Sequence, residues 1–168
     1  MDAEIVVRKA NITDLRNICD IYSAAILVMD DNHIHQWDTL YPNEDLLKND
    51  ILKNQMYIAE IENQIASVFV LNQENDTEYD NGNWKYKDSA FMVVHQLCVN
   101  PHFQNQRVGT KTMQTLEKML KREGAESIRL DTFSQNPFAL RMYEKLGYRR
   151  VGEANWRKGL FYLYEKKI

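Results

Sequence analysis

The feature that most constrains this chain is the run from Phe91 to Thr110. Phe91–Val99 is apolar, short and rich in β-formers, and Asn100-Pro101-His102-Phe103-Gln104-Asn105-Gln106-Arg107 follows it. Beyond these, Val108, Met113, Leu116, Met119 and Leu120 recur at roughly helical spacing. The run reads as a buried strand, a proline-initiated loop and a helix. The first backbone N–H groups of a helix lack intrahelical acceptors and sit at the positive end of its dipole, so such a loop suits an anion. Gly109 has no Cβ and permits close approach of a phosphate. An ordinary strand-to-helix connection has the same appearance. Two nucleotide motifs do not fit: Gly109-Thr110-Lys111 lacks the first glycine of a Walker loop and places Thr before Lys, and a dinucleotide fingerprint needs three spaced glycines where there is one.

A length of 168 residues suits one domain spanning residues 1–168, and a hydrophobic content of 44% suits a globular chain with a proper core. The longest apolar run falls far short of a membrane span. The opening Met1-Asp2-Ala3-Glu4 is acidic, with no basic-then-apolar signal, and the two cysteines, Cys19 and Cys98, fall in expected core segments. These features imply a reduced, cytoplasmic protein without a membrane partner. Residues 1–100 carry a charge balance of −10 and residues 101–168 one of +7. No block of like charge is long enough for a nucleic-acid tail. The asymmetry is either two solvated faces or an anionic ligand on one half and a cationic one on the other.

In chain order, Glu4–Lys9 is a first strand, and Asn11–Met29 a helix with Thr13 as cap and Leu15, Ile18, Cys19, Tyr22, Ala25 and Ile26 on one face. His33 and His35 follow without a companion ligand set, so no metal site is expected. A second helix starts near Pro42-Asn43. Met56–Ile61 and Ile65–Leu71 are strands around a Glu62-Asn63-Gln64 turn. Gln73–Ser89 is polar and turn-rich, a loop long enough to suggest a substrate-side lid. Gly124 ends the central helix, Ser127–Asp131 is a fifth strand, and Tyr148–Glu153 and Leu160–Glu165 close the chain. Between these lies Asn136-Pro137-Phe138-Ala139-Leu140-Arg141-Met142-Tyr143-Glu144-Lys145-Leu146-Gly147-Tyr148. Its asparagine cap, proline at the first helical position and glycine just past the end specify a short helix.

Two of these stretches together resemble the motifs of the GNAT superfamily of acyl-CoA-dependent N-acyltransferases. Val99, Pro101, Phe103, Gln104 and Gly109 fall on motif A, with Arg107 where the family has its first glycine. Asn136, Ala139, Met142, Tyr143, Gly147 and Tyr148 fall on motif B, with Met142 for leucine and Tyr148 for phenylalanine. The motifs occur in the family's order and spacing. The resemblance implies an α/β GNAT fold: a twisted, mostly antiparallel mixed sheet of six to seven strands, splayed between the fourth and fifth, with about four helices on its two faces.

The resemblance also implies acetyl-CoA as co-substrate and direct N-acetylation of a primary amine through a ternary complex. Gln104, Asn105, Gln106, Arg107, Val108, Gly109 and Thr110 would cradle the pyrophosphate. Leu97, Cys98 and Val99 would line the pantetheine, and an N–H near Cys98 would face the thioester oxygen. Cys98 reads as a small buried residue rather than a nucleophile, because no base accompanies it. Asn136, with Ala139, corresponds to the motif B contact to the pantetheine arm, although a plain helix cap explains the asparagine equally. Tyr143 corresponds to the acid that protonates the leaving thiolate, or is a buried helix aromatic. His95 occupies a position at which some relatives carry a histidine base, while others use a glutamate two residues earlier, where this chain has Val93; a structural histidine is the competing reading. Relatives admit the acceptor over the first two helices and the loop between the third and fourth strands. Here those parts hold Asp38 and further carboxylates beside Trp37, Tyr41 and Trp84, flat faces suited to a small cationic amine. A monomer or homodimer is expected. A catalytically silent acyl-CoA-binding module, which Arg107 favours, and a protein or peptide amine acetyltransferase are the rival readings.

Overall fold

The computed structural model describes residues 3–168; Met1 and Asp2, half of the acidic opening, lie outside the described residues. Among those residues are seven strands and four α-helices, the strands forming one sheet in the order β1-β2-β3-β4-β5-β7-β6. The strands are β1 (Val6–Lys9), β2 (Met56–Ile61), β3 (Gln64–Asn72), β4 (Phe91–Val99), β5 (Ser127–Phe133), β6 (Arg149–Trp156) and β7 (Gly159–Lys167). The helices are α1 (Leu15–Asp31), α2 (Glu44–Leu52), α3 (Val108–Arg122) and α4 (Pro137–Lys145). The chain divides into two compact units. One runs to Leu71 and includes Gln96–Leu116; the other comprises Asn72–His95 and Glu117–Ile168.

In the first unit, β1 and β3 each pair antiparallel with β2. Glu62 and Asn63 join β2 to β3 with φ of 50° and 65°, the two left-handed residues that a two-residue hairpin matching the strand twist requires. Ile18, Ile21, Tyr22 and Ala25 form the buried stripe of α1, and Leu47 and Ile51 that of α2, over Met56, Ile58, Val68, Val70 and Cys98. Helix α1 starts after a 3-10 turn at Ile12–Asp14 rather than at a Thr13 cap. Asp14 reaches back to accept the Asn11 N–H at 2.7 Å and also pairs with Arg8, which ties the entry to the helix to β1.

In the second unit, β4 and β5 are parallel, from Phe91↔Ser127 to Val94↔Leu130, while β7 lies antiparallel between β5 and β6. The closing hairpin is longer than its sequence suggested. Pairing continues to Trp156↔Gly159 around Arg157-Lys158, with Gly159 at φ 133°.

The segment 73–89 departs most from expectation. Rather than an open lid, it is packed down on its own unit's sheet. A 3-10 turn at Thr77–Asn81 buries Tyr79, 2% exposed, against Val93, Ala154 and Leu163. The Asn83 N–H donates to the Val151 carbonyl, and Lys85 and Tyr86 donate their N–H groups to the buried Glu165 carboxylate at 2.6 and 3.3 Å. Gly152 makes the close approach possible: a Cβ there would stand 2.9 Å from both Asn81 O and Gly82 Cα.

Candidate functional site

The loop of the first unit is built from backbone geometry. Asn100 anchors it, donating its N–H to Ala66 O and its side-chain amide to Ile65 O while its Oδ1 accepts the His102 N–H. A 3-10 turn at Pro101–Phe103 tucks Phe103 against Ile61, Ala66 and Val108. Asn105 and Arg107 then adopt φ of 62° and 59°. The departure from motif A thus has a structural meaning. The position is left-handed, which suits glycine, and here an exposed arginine takes that conformation at a cost of about 1–2 kcal/mol. Lys111 is the residue whose N–H first bonds back, to Arg107 O at 3.0 Å, so Val108, Gly109 and Thr110 present the N–H groups of the first turn. The Ser67 and Thr112 hydroxyls, both buried and 2.7 Å apart, fix α3 to β3. Gln104 and Gln106 are exposed beside the turn. A backbone arrangement of this kind fits a phosphate group.

Within the same unit, Gln96 stands in the left-handed region at φ 56°. Its carbonyl accepts the Tyr22 hydroxyl at 2.6 Å and its side-chain amide donates to the buried Asp50 at 3.1 Å. A left-handed residue inside β4 interrupts the pleat, so the two-residue alternation from His95 to Leu97 and Val99 does not carry across it. Leu97 and Val99 are half-buried and Cys98 is fully buried. Burial pushes the Cys98 thiol far up, which leaves little thiolate and agrees with a packing residue.

The second unit holds the titratable groups. His95 Nε2 lies 2.7 Å from Asn72 Oδ1 and 3.0 Å from the Glu74 carbonyl. Burial lowers its pKa, opposed by the Glu74 carbonyl bond and the charges of Asp76 and Glu74, so the ring is neutral near pH 7. Tyr143, 7% exposed on α4, packs edge-on against Tyr148 with ring centroids 5.6 Å apart. Burial raises its phenol, and the charge of Asp131 adds to that. Asp131 accepts the Tyr79 hydroxyl at 2.7 Å; burial pushes its carboxyl up to about 6 despite that bond, and the charge of Asp76 also raises it. Asn136 caps α4, its Oδ1 accepting the Ala139 N–H at 3.1 Å, and Gly147 at φ 95° closes the helix with Tyr148 N–H on Tyr143 O. Sequence reasoning did not single out Asn72, Gln96 or Asp131; the buried polar partner of each is remote in the chain.

The residues expected beside the acceptor are placed unevenly. Trp37 is a core residue, 8% exposed and 5.4 Å from the Tyr22 ring. The Trp84 ring stacks on Tyr79 at 5.5 Å and faces the Arg129 guanidinium at 4.5 Å, so its π-faces serve packing within the chain. Asp38 Oδ1 accepts the N–H groups of Leu40 and Tyr41, closing a tight turn. Tyr41 is 44% exposed. No helix among the described residues is long and apolar enough to cross a membrane.

Residues 18–148 match the profile of the acetyltransferase (GNAT) family. An S-(2-succino)cysteine N-acetyltransferase of Bacillus subtilis is 28% identical over 127 residues, which cover 73% of this chain and 72% of that protein. Two solved structures share the fold. A GNAT-family acetyltransferase from Streptococcus agalactiae has a TM-score of 0.87 at 20% identity, over 98% of this chain and 95% of its own. The PaiA N-acetyltransferase of Thermoplasma acidophilum, in complex with coenzyme A, has a TM-score of 0.70 at 18% identity, over 98% and 99%. The seven-stranded mixed sheet with parallel β4 and β5 and four helices is the fold that the motifs imply, and the chain, an acyltransferase, belongs to the GNAT acetyltransferase family.

Proposed function

We propose that the protein transfers an acetyl group from acetyl-CoA directly to the primary amine of a small molecule. One observation carries the reading: the second unit buries an imidazole and a phenol, and burial favours the uncharged form of each, the form required of a base and of an acid in the same turnover. His95 takes the proton of the acceptor ammonium, and the amine nitrogen attacks the thioester carbonyl. Backbone N–H groups near Cys98 stabilise the oxyanion. As the C–S bond breaks, the Tyr143 hydroxyl donates its proton to the departing sulfur. Desolvation that raises the phenol raises the thiolate as well, so the transfer stays feasible. The turn at Val108, Gly109 and Thr110 holds the donor's phosphates, and Arg107 adds a charge-assisted contact to them.

For the acceptor, the acidic excess of residues 1–100 favours a small cationic amine. The Bacillus subtilis relative favours a second reading, the α-amine of an S-substituted cysteine. Thiol release from acetyl-CoA across a panel of polyamines, aralkylamines and S-(2-succino)cysteine separates them. A cationic acceptor whose KM rises between low and physiological ionic strength supports the first reading, because exposed charges are screened. An anionic best acceptor, or one indifferent to salt, supports the second. Acetyl-CoA binding by calorimetry without turnover of any amine overturns the proposal in favour of a silent binding module.

A further inference from the structure

The proton on His95 can be assigned from its neighbours. Nε2 faces the Glu74 carbonyl, which only accepts, and Asn72 Oδ1. The Asn72 atom is fixed as the amide oxygen because the Glu74 N–H donates to it at 2.9 Å; an amide nitrogen there would set donor against donor. Two acceptors converge on Nε2, so Nε2 holds a hydrogen and Nδ1 of the neutral ring keeps the lone pair. From this geometry we infer that Asn72, the last residue of β3, is a positioning residue for acetyl transfer. It holds His95 as the Nε2–H tautomer and so makes Nδ1 the atom that receives the proton of the acceptor ammonium, directly or through one water. The inference rests on the reading of His95 as base. In the step an N–H bond of the ammonium breaks, its electron pair stays on the amine nitrogen, and a bond from hydrogen to Nδ1 forms. The imidazolium so made is favoured by the charges of Glu74 and Asp76, and its Nε2–H bonds to Asn72 and Glu74 strengthen.

Nitrogen-15 NMR of the histidine rings in the full chain, combined with kinetics, tests this. Wild-type His95 is expected to be protonated at Nε2 and imine-like at Nδ1 above its pKa. Asn72→Leu keeps bulk but removes both the 2.7 Å acceptor and the bond that holds Glu74, so part of the ring population should shift toward the other tautomer. The variant should also lower kcat about tenfold or more while leaving the amine KM unchanged. Asn72→Asp should restore the Nε2–H tautomer and move the acidic limb of the kcat/KM profile to higher pH, since a carboxylate favours the imidazolium. An Nδ1–H tautomer in the wild type overturns the inference, as does an unchanged tautomer and kcat in Asn72→Leu. His95→Gln addresses the underlying reading separately. If that variant keeps the acidic limb, His95 is not the base, whatever tautomer the spectra assign.

Discussion

The loop at Asn100–Arg107 and the polar group around His95, Asp131 and Tyr143 solve different problems with different materials. The loop presents N–H groups, and what matters there is backbone conformation: an asparagine anchor, a proline turn, two left-handed residues and a helix start. In the polar group what matters is which side chains meet across long stretches of chain. Asn72 reaches His95 over 23 residues and Tyr79 reaches Asp131 over 52. A turn built from backbone tolerates side-chain change as long as the conformation survives, as the left-handed Arg107 shows. A site built from buried polar side chains has no such latitude, because a lost partner leaves a desolvated group unsatisfied.

The sharpest way to break this contrast is Tyr143→Phe, which removes one oxygen. If Tyr143 is the acid, kcat should fall by about 10²–10⁴ with acetyl-CoA affinity unchanged by calorimetry; an unchanged kcat removes the role. Its pH counterpart lies with His95. Burial lowers that pKa from its ordinary 6.5, and the neutral ring is the active form. Activity should therefore rise through an acidic limb below the ordinary histidine value and be level above it.

Gly152→Ala comes next. The new Cβ meets backbone atoms of Asn81 and Gly82 that cannot rotate away, so the packed segment or β6 must shift. A loss of about 1–3 kcal/mol in urea unfolding is expected. Asp131→Asn should act in the opposite sense. A carboxyl raised to about 6 from 3.8 binds its proton more tightly in the folded state, so its contribution is full below pH 3.8 and is lost as pH rises towards 6. The neutral amide avoids that loss. The variant should be more stable by about 2 kcal/mol at pH 7 and show no such gain at pH 4.

The smallest effect is expected in the loop. Arg107→Gly removes a left-handed side chain but frees the unfolded chain, for a net gain of about 0.5–1 kcal/mol. At the same time the acetyl-CoA dissociation constant should rise and its salt dependence flatten. Tighter binding by the glycine variant would mean that the arginine obstructs the loop.

What could be read from the sequence follows the same division. Helix signals at Asn136-Pro137 and Gly147 describe contacts within one turn, so they stand in the chain as written. The Phe91–Thr110 run is legible for the same reason. The segment 73–89 is not, because its polar surface hides one aromatic residue, Tyr79, whose partners Val93, Ala154 and Leu163 come from β4, β6 and β7. Counting polar residues measures solubility, and here a few buried contacts decide the placement. Trp37 and Trp84 are no easier to place: an aromatic residue among carboxylates looks like a recognition surface, and the ring contacts it makes are not written in its neighbours along the chain. The left-handed Gln96 carries no local signal at all, since glutamine does not prefer that conformation.

The packed segment after β3 has an implication for how such enzymes diversify. It follows directly on Asn72, which with Glu74 holds His95, and it continues through Tyr79, which holds Asp131. Were the segment exchanged for that of another enzyme, the bonds to the imidazole and to the carboxyl would change with it. The placement of the imidazole and of the carboxyl is therefore inherited with the segment, and a graft that left out Asn72 would separate what the chain keeps in one piece.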